Sequence, residues 1–332
     1  MTVRGFTFDG FLLALAVVVI AAILAPAPGA SHGFLHADWI ATYGIAVVFF
    51  LYGLTLAPER LREGASNWRL HLTVQLSTFV LFPVVVLLML RLFGGLLPVP
   101  TQTGFFYIAA LPSTVSSSVA MTSLARGNVP AAIFNATLSS LIGVFATPLF
   151  MAWYVSTTGD SLPLLPVIAK VVGLVLVPIV IGQVARHWLH RWAARYSKII
   201  RLADRAIILA IVYNSFSDSM VEGIWSGHDL SFLVTMIVGV LVLFTLIYWI
   251  ILIPCRLLGF DRPDTIATLF CGSKKSLATG LPMARLMFSH DPALGLIIAP
   301  IMLYHFFQLI IVSVIANRYA AADDAETAAL GR

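Results

Sequence analysis

The chain has 332 residues, 60% of them apolar and 11% charged, with a formal charge of +5, a mean hydropathy of +0.96 and a pI near 9.4. A soluble domain carries roughly 25% charged residues, so a water-coated globule is excluded and the surplus apolar surface must face lipid. The basic residues sit in short connectors between apolar runs, as in a membrane protein and not a nucleic-acid binder, and two cysteines, Cys255 and Cys271, supply neither a disulfide framework nor a zinc spacing.

A membrane span needs about 20 mostly apolar residues. Ten runs meet that need, at 8–26, 38–57, 69–93, 104–124, 129–155, 163–187, 204–221, 230–254, 264–289 and 293–317. The first, with Arg4 before it and Ala25-Pro26-Ala27 after it, imitates a signal peptide. The spans that follow make it an uncleaved first helix. The chain is thus expected to be an all-α polytopic membrane protein, and the polar run after Arg318 to lack structure.

Lysine and arginine set the orientation. With the N-terminus in the cytoplasm, fifteen fall inside, among them Arg4, Arg60, Arg62, Arg69 and the set from Arg186 to Arg205; Arg91 and Arg285 fall outside, and Lys170, Lys274 and Lys275 lie within spans. This asymmetry favours an even number of spans with both termini cytoplasmic; the expected location is a bacterial inner (plasma) membrane. The stretch 186–203, with Arg186-His187-Trp188-Leu189-His190-Arg191-Trp192, reads either as an interfacial helix held by anionic lipids or as a charged connector.

Ten spans divide into five and five, and an odd number per half inverts the second half, a frequent transporter plan. The expected units are residues 1–157, residues 161–318 and a polar tail at 319–332. Pro83 and Pro254 fall in the third span of each half, and the fourth span of each half carries a polar break.

The first break is Leu111–Ser118, where Pro112 precedes Ser113, Thr114, Ser116, Ser117 and Ser118. Proline removes a backbone donor, and the freed carbonyls must be satisfied by protein or a wet cavity. The hydroxyls can do that or bind a substrate. The second break, Phe270–Ser276, puts Lys274 and Lys275 mid-span between Ser273 and Ser276. A central lysine costs roughly 2.5–3.5 kcal/mol. Adjacent lysines point about 100° apart on a helix, so both share a polar environment only if the helix unwinds there. They read as charges for an anion, or as structural donors to orphan carbonyls of the other broken helix. Asp218, in Tyr213–Ser219, is the acid that touches a span, and a lysine–Asp218 pair is the rival. Gln75 and Thr78 in the third span, Asn135 and Ser139 on one face of the fifth, and Asn214 and His305 complete the intramembrane polar residues considered as ligands or as interhelical hydrogen bonds.

The run Leu111–Pro148 resembles the fourth and fifth spans of the bile acid:sodium symporter family. Cys271–Met283 and Gln75–Pro83 resemble its divergent bile acid cotransporter 7-like branch. The resemblance implies ten spans in two inverted five-helix repeats with unwound fourth and ninth spans that cross. It also implies a core domain of spans 3–5 and 8–10, a panel domain of spans 1, 2, 6 and 7, and alternating access. Sodium-coupled members carry a glutamate in the broken ninth span. Here Phe270–Lys275 holds no acid, and Ala132 and Ala136 stand where fifth-span hydroxyl ligands are expected. The expectation is therefore a secondary transporter of a small organic anion with altered or absent sodium coupling, no enzyme and no cofactor. A sodium site stays open near Ser117 and Ser118. The alternatives are a sodium-coupled symporter like the rest of the family, or a non-transporting membrane regulator of ion homeostasis.

Overall fold

The computed structural model describes residues 2–3, 6–7, 10–31, 33–55, 67–157, 169, 172–223, 226, 229–288 and 291–330. Arg4, Arg60, Arg62, Lys170 and the side chain of Ser116 lie outside that set. Apart from an antiparallel pair of Thr2–Val3 with Phe6–Thr7, the regular structure of the described residues is helical. In chain order the helices are α1 Gly10–Leu24, α2 Ala37–Thr55, α3 Trp68–Leu96, α4 Val99–Ala110, α5 Ser116–Leu124, α6 Val129–Thr157, α7 Val172–Arg195, α8 Ser197–Val221, α9 Leu230–Leu257, α10 Arg262–Gly272, α11 Leu277–Met287 and α12 Leu294–Leu330.

Five of these are long and apolar enough to cross a bilayer unaided: α3, α6, α7, α9 and α12 as far as Ala322. Their outward faces stay greasy. Val80, Val84 and Leu88 of α3 and Val234, Val238, Leu246 and Trp249 of α9 are exposed, a surface that only lipid can cover. This is an integral membrane protein.

Two helix groups pack side by side. In one, α2 lies on α7 and α8, and α1 lies on α8. Glycine makes the α2–α7 approach close: a Cβ on Gly53 would strike the Ile179 carbonyl, and one on Gly182 the Phe50 carbonyl. The other group joins α3–α6 to α9–α12, with α4 against α12 and α6, and α10 against α3, α6 and α9. Its buried centre includes Phe82, Phe106, Tyr107, Phe270 and Tyr304. The groups meet where α8 touches α11 and α12, and α2 touches α11.

Two expectations fail. The stretch 186–203 is no separate interfacial helix: α7 runs on to Arg195, and α8 begins at Ser197 after a turn at Tyr196. Neither glycine nor proline interrupts 183–203, so both helices propagate into it. The run after Arg318 is not irregular either, because α12 continues to Leu330. Its alanines are the strongest helix formers, and extension costs less than nucleation. Both expected breaks are present: α4 and α5 are separated by Leu111–Val115, and α10 and α11 by Ser273–Ser276.

Candidate substrate site at the two helix breaks

The breaks face each other. The Ser113 hydroxyl donates to the Cys271 carbonyl at 2.6 Å, the Ser118 hydroxyl to the Phe270 carbonyl at 3.1 Å, and the Ser276 N–H to the Pro112 carbonyl at 2.9 Å. A broken helix leaves carbonyls at one stump and N–H groups at the other, and here each break supplies partners to the other. Ser276 also starts α11, its hydroxyl accepting from the Thr279 N–H at 3.2 Å, an N-cap of the usual kind.

The lysines, adjacent in sequence, have different fates. The Lys275 ammonium is fully buried and donates to three carbonyls: Leu111 at 2.7 Å, Ala109 at 2.9 Å and Thr78 at 2.9 Å. It lies 4.0 Å from the centre of the Phe82 ring. Two of the carbonyls belong to the open C-terminal end of α4, where a cation also meets the negative end of the helix dipole. The third traces to Pro83. Helix α3 widens into a π turn at Ser77–Leu81, and the Phe82 N–H returns to the Ser77 carbonyl. In that geometry the Thr78 carbonyl awaits an N–H from residue 83, and proline has none. Lys275 fills the place.

The backbone of Lys275 is pinned as well. Its N–H donates to Gln308 Oε1 and its carbonyl accepts from Gln308 Nε2, both at 2.8 Å. The Tyr304 hydroxyl donates to the Ser273 carbonyl at 2.7 Å. Lys275 thus donates to backbone carbonyls that the breaks and Pro83 leave open. Lys274 is equally buried, but its ammonium has no hydrogen-bond partner among the described residues.

The other expected residues fall into place around this pair. Gln75 Nε2 donates to the Asn135 carbonyl and to Asn135 Oδ1, both at 3.2 Å, while its own Oε1 is buried without a partner among the described residues. Asn135 Nδ2 lies 2.9 Å from His71 Nδ1. Ser139 accepts from the Ser113 N–H at 2.9 Å. Thr114 lies 2.8 Å from both the Ser117 and the Ser118 hydroxyls. The Thr78 and Ser273 hydroxyls turn back to donate to the Val74 and Leu269 carbonyls of their own helices.

Three secondary candidates lie elsewhere. His305 pairs with Gln308 Nε2 at 2.8 Å, behind the second break. Asn214 donates to the Gly29 carbonyl at 3.0 Å. Asp218 faces Arg285 at 3.8 Å, not either lysine, which overturns the lysine–Asp218 pairing; Arg285 on α11 reaches it first. Sequence reasoning missed His71, Tyr304 and Gln308. The spacing of Tyr304 and Gln308, four residues apart on one face of α12, was the available signal.

Known proteins resemble this chain over nearly its whole length. The SBF-like CPA transporter family matches residues 9–321. The uncharacterized protein PA2026 of Pseudomonas aeruginosa is 39% identical over 322 residues, covering 97% of this chain and 96% of that one. The putative symporter YfeH of Escherichia coli is 38% identical over 315 residues, covering 94% and 92%. The sodium/bile acid cotransporter 7 of Mus musculus is 30% identical over 311 residues, covering 92% and 91%. A match over nearly the whole length, to a family of transporters, leaves one conclusion: this chain is a membrane transporter and belongs to the SBF-like CPA transporter family.

Proposed function

We propose that this transporter moves a small organic anion by alternating access, that it does so without bound sodium, and that Lys274 is the charge that meets the substrate. The observation that carries this reading is the buried Lys274 ammonium with no hydrogen-bond partner among the described residues. A mid-membrane ammonium costs roughly 2.5–3.5 kcal/mol to insert, and its neighbour spends that cost on three carbonyls. Lys274 has no such return until an anion arrives. Helices α5 and α11 begin at the two breaks, and their N-termini add positive potential there.

The donor set fits a sodium ion poorly. The carbonyls of Thr78, Ala109 and Leu111 are taken by Lys275, and Ser117 and Ser118 are engaged with Thr114. Lys275 is, in effect, a cation already tethered in the site. The helix packing supports the division into a panel (α1, α2, α7, α8) and a core (α3–α6, α9–α12) that rock against each other. The excess of basic residues at the α7–α8 turn supports cytoplasmic termini in a bacterial inner membrane.

The relatives, the putative symporter YfeH and sodium/bile acid cotransporter 7, favour a second reading: symport with sodium at a site near Ser117 and Ser118. Liposomes containing only the purified protein separate the two. Carboxylate uptake that persists in choline buffer and is lost in Lys274→Met supports the first reading. Strict sodium dependence supports the second. Wild-type uptake by Lys274→Met overturns the role of Lys274, and failure of any anion to enter favours a regulator that does not transport.

A further inference from the structure

We propose that Asp218, Ser219 and Arg285 form a latch that closes the seam between the two helix groups at the membrane face opposite the basic α7–α8 turn. Asp218 lies about 31 Å along α8 from Ser197, at 1.5 Å per residue. The proposal rests on alternating access and adds the device that holds one gate shut.

Two polar arms cross the seam. The Asp218 carboxylate, on α8, faces the Arg285 guanidinium of α11 at 3.8 Å. One residue on, the Ser219 hydroxyl reaches the Pro292 carbonyl at 3.1 Å and accepts from the Gly295 N–H at 3.0 Å. Both of those partners lie at the start of α12. On its own side α8 is tied firmly to the 25–31 segment. The Ser31 N–H and hydroxyl donate to Asp218 at 2.6 and 2.8 Å, Asn214 donates to Gly29 at 3.0 Å, and the Tyr213 hydroxyl donates to Ala25 at 2.9 Å. The segment and α8 therefore move as one piece, and the arms to Arg285, Pro292 and Gly295 are the contacts that must part.

Around these arms lies a cavity of about 130 Å³, lined among others by Ser31, Ser215, Asp218, Ser219, Arg285 and Asp291. One α8 atom of the lining, Ser215 Oγ, is buried with no partner among the described residues. Buried polar atoms without partners are rare. Ser215 Oγ marks the face of α8 that finds its partner, water or substrate, when the seam is open. The closed seam is the state described here, and the latch sets how often it opens.

The test uses the full-length protein in liposomes, with Cys255→Ala and Cys271→Ala and a single reporter, Ser215→Cys, in the cavity. A membrane-impermeant maleimide is applied from each side. Asp218→Asn and Arg285→Gln are expected to speed labelling from the latch side about fivefold, the upper end for loss of a solvent-accessible ion pair. The swap Asp218→Arg with Arg285→Asp is expected to bring the rate back toward the parent. Ser219→Ala tests the second arm and replaces any variant whose elution or Tm departs from the parent. Parental labelling rates in every folded variant overturn the latch. If anion changes the labelling of the parent while the variants label at the parental rate, the latch fails and alternating access stands. If anion changes nothing in the parent from either side, alternating access fails, and the latch with it.

Discussion

Replacing each adjacent lysine by methionine, which keeps the length and removes the charge, should have opposite effects at positions 275 and 274. In Lys275→Met the carbonyls of Thr78, Ala109 and Leu111 lose their donor. Each buried orphan costs about 1–3 kcal/mol, and a desolvated ammonium over an aromatic face is worth about 2 kcal/mol more. Relief of the lysine's own burial, roughly 3 kcal/mol, offsets part of this. The net loss is roughly 4 kcal/mol, a large share of the 5–15 kcal/mol that a domain commonly has, and it corresponds to a fall in Tm of about 10 °C. In Lys274→Met no hydrogen bond is lost and the burial cost disappears, so Tm holds or rises while anion uptake fails. The assay is thermal unfolding of purified protein in detergent beside uptake in liposomes. A Lys275→Met protein as stable as wild type, or a Lys274→Met protein that loses as much Tm as its neighbour and still transports, refutes the division of labour.

Gln308→Leu removes both bonds to the Lys275 backbone and should cost roughly 2–3 kcal/mol. Gln308→Glu should restore little, because a carboxylate cannot donate to the Lys275 carbonyl; equal Tm for wild type and Gln308→Glu contradicts this. Asp264 accepts from Asn67 and Asn128, each at 2.7 Å, and so ties the starts of α3, α6 and α10 together. Asp264→Ala should cost roughly 2 kcal/mol, read as a lower unfolding midpoint, and an unchanged midpoint excludes the tie. Gly182→Leu forces a side chain into the Phe50 carbonyl of α2 and should separate α2 from α7, where small residues permit close approach. Cross-linking of a cysteine pair across that contact reports it, and wild-type cross-linking efficiency denies it.

The helix breaks were legible in the sequence because they are local chemistry. Pro112 followed by hydroxyls, and two lysines flanked by Gly272, Ser273 and Ser276, cannot sit in an uninterrupted apolar span. The seriousness of Lys274 and Lys275 was legible for the same reason. Which of them is structural was not, because the answer lies in carbonyls far away in the chain: one freed by Pro83 in α3, two at the end of α4. Gln308 was invisible as the partner of Lys275, since nothing local says which way α12 turns that amide. The site of Asp218 was readable as an acid near the end of a span. Its partner was not, because Arg285 looked like an ordinary flanking charge until α11 packed against α8. The helical hairpin at Tyr196 and the long α12 were missed by giving polarity more weight than the absence of any helix breaker.

The most direct test of the central claim is the thermal response of wild-type and Lys274→Met protein to a panel of small carboxylates, in choline and in sodium buffer. Ligand at a hundred times its Kd stabilises by about 2.7 kcal/mol. At least one anion should raise the wild-type Tm equally in both buffers and leave Lys274→Met unmoved. A rise that needs sodium, or one that survives the loss of Lys274, contradicts the account.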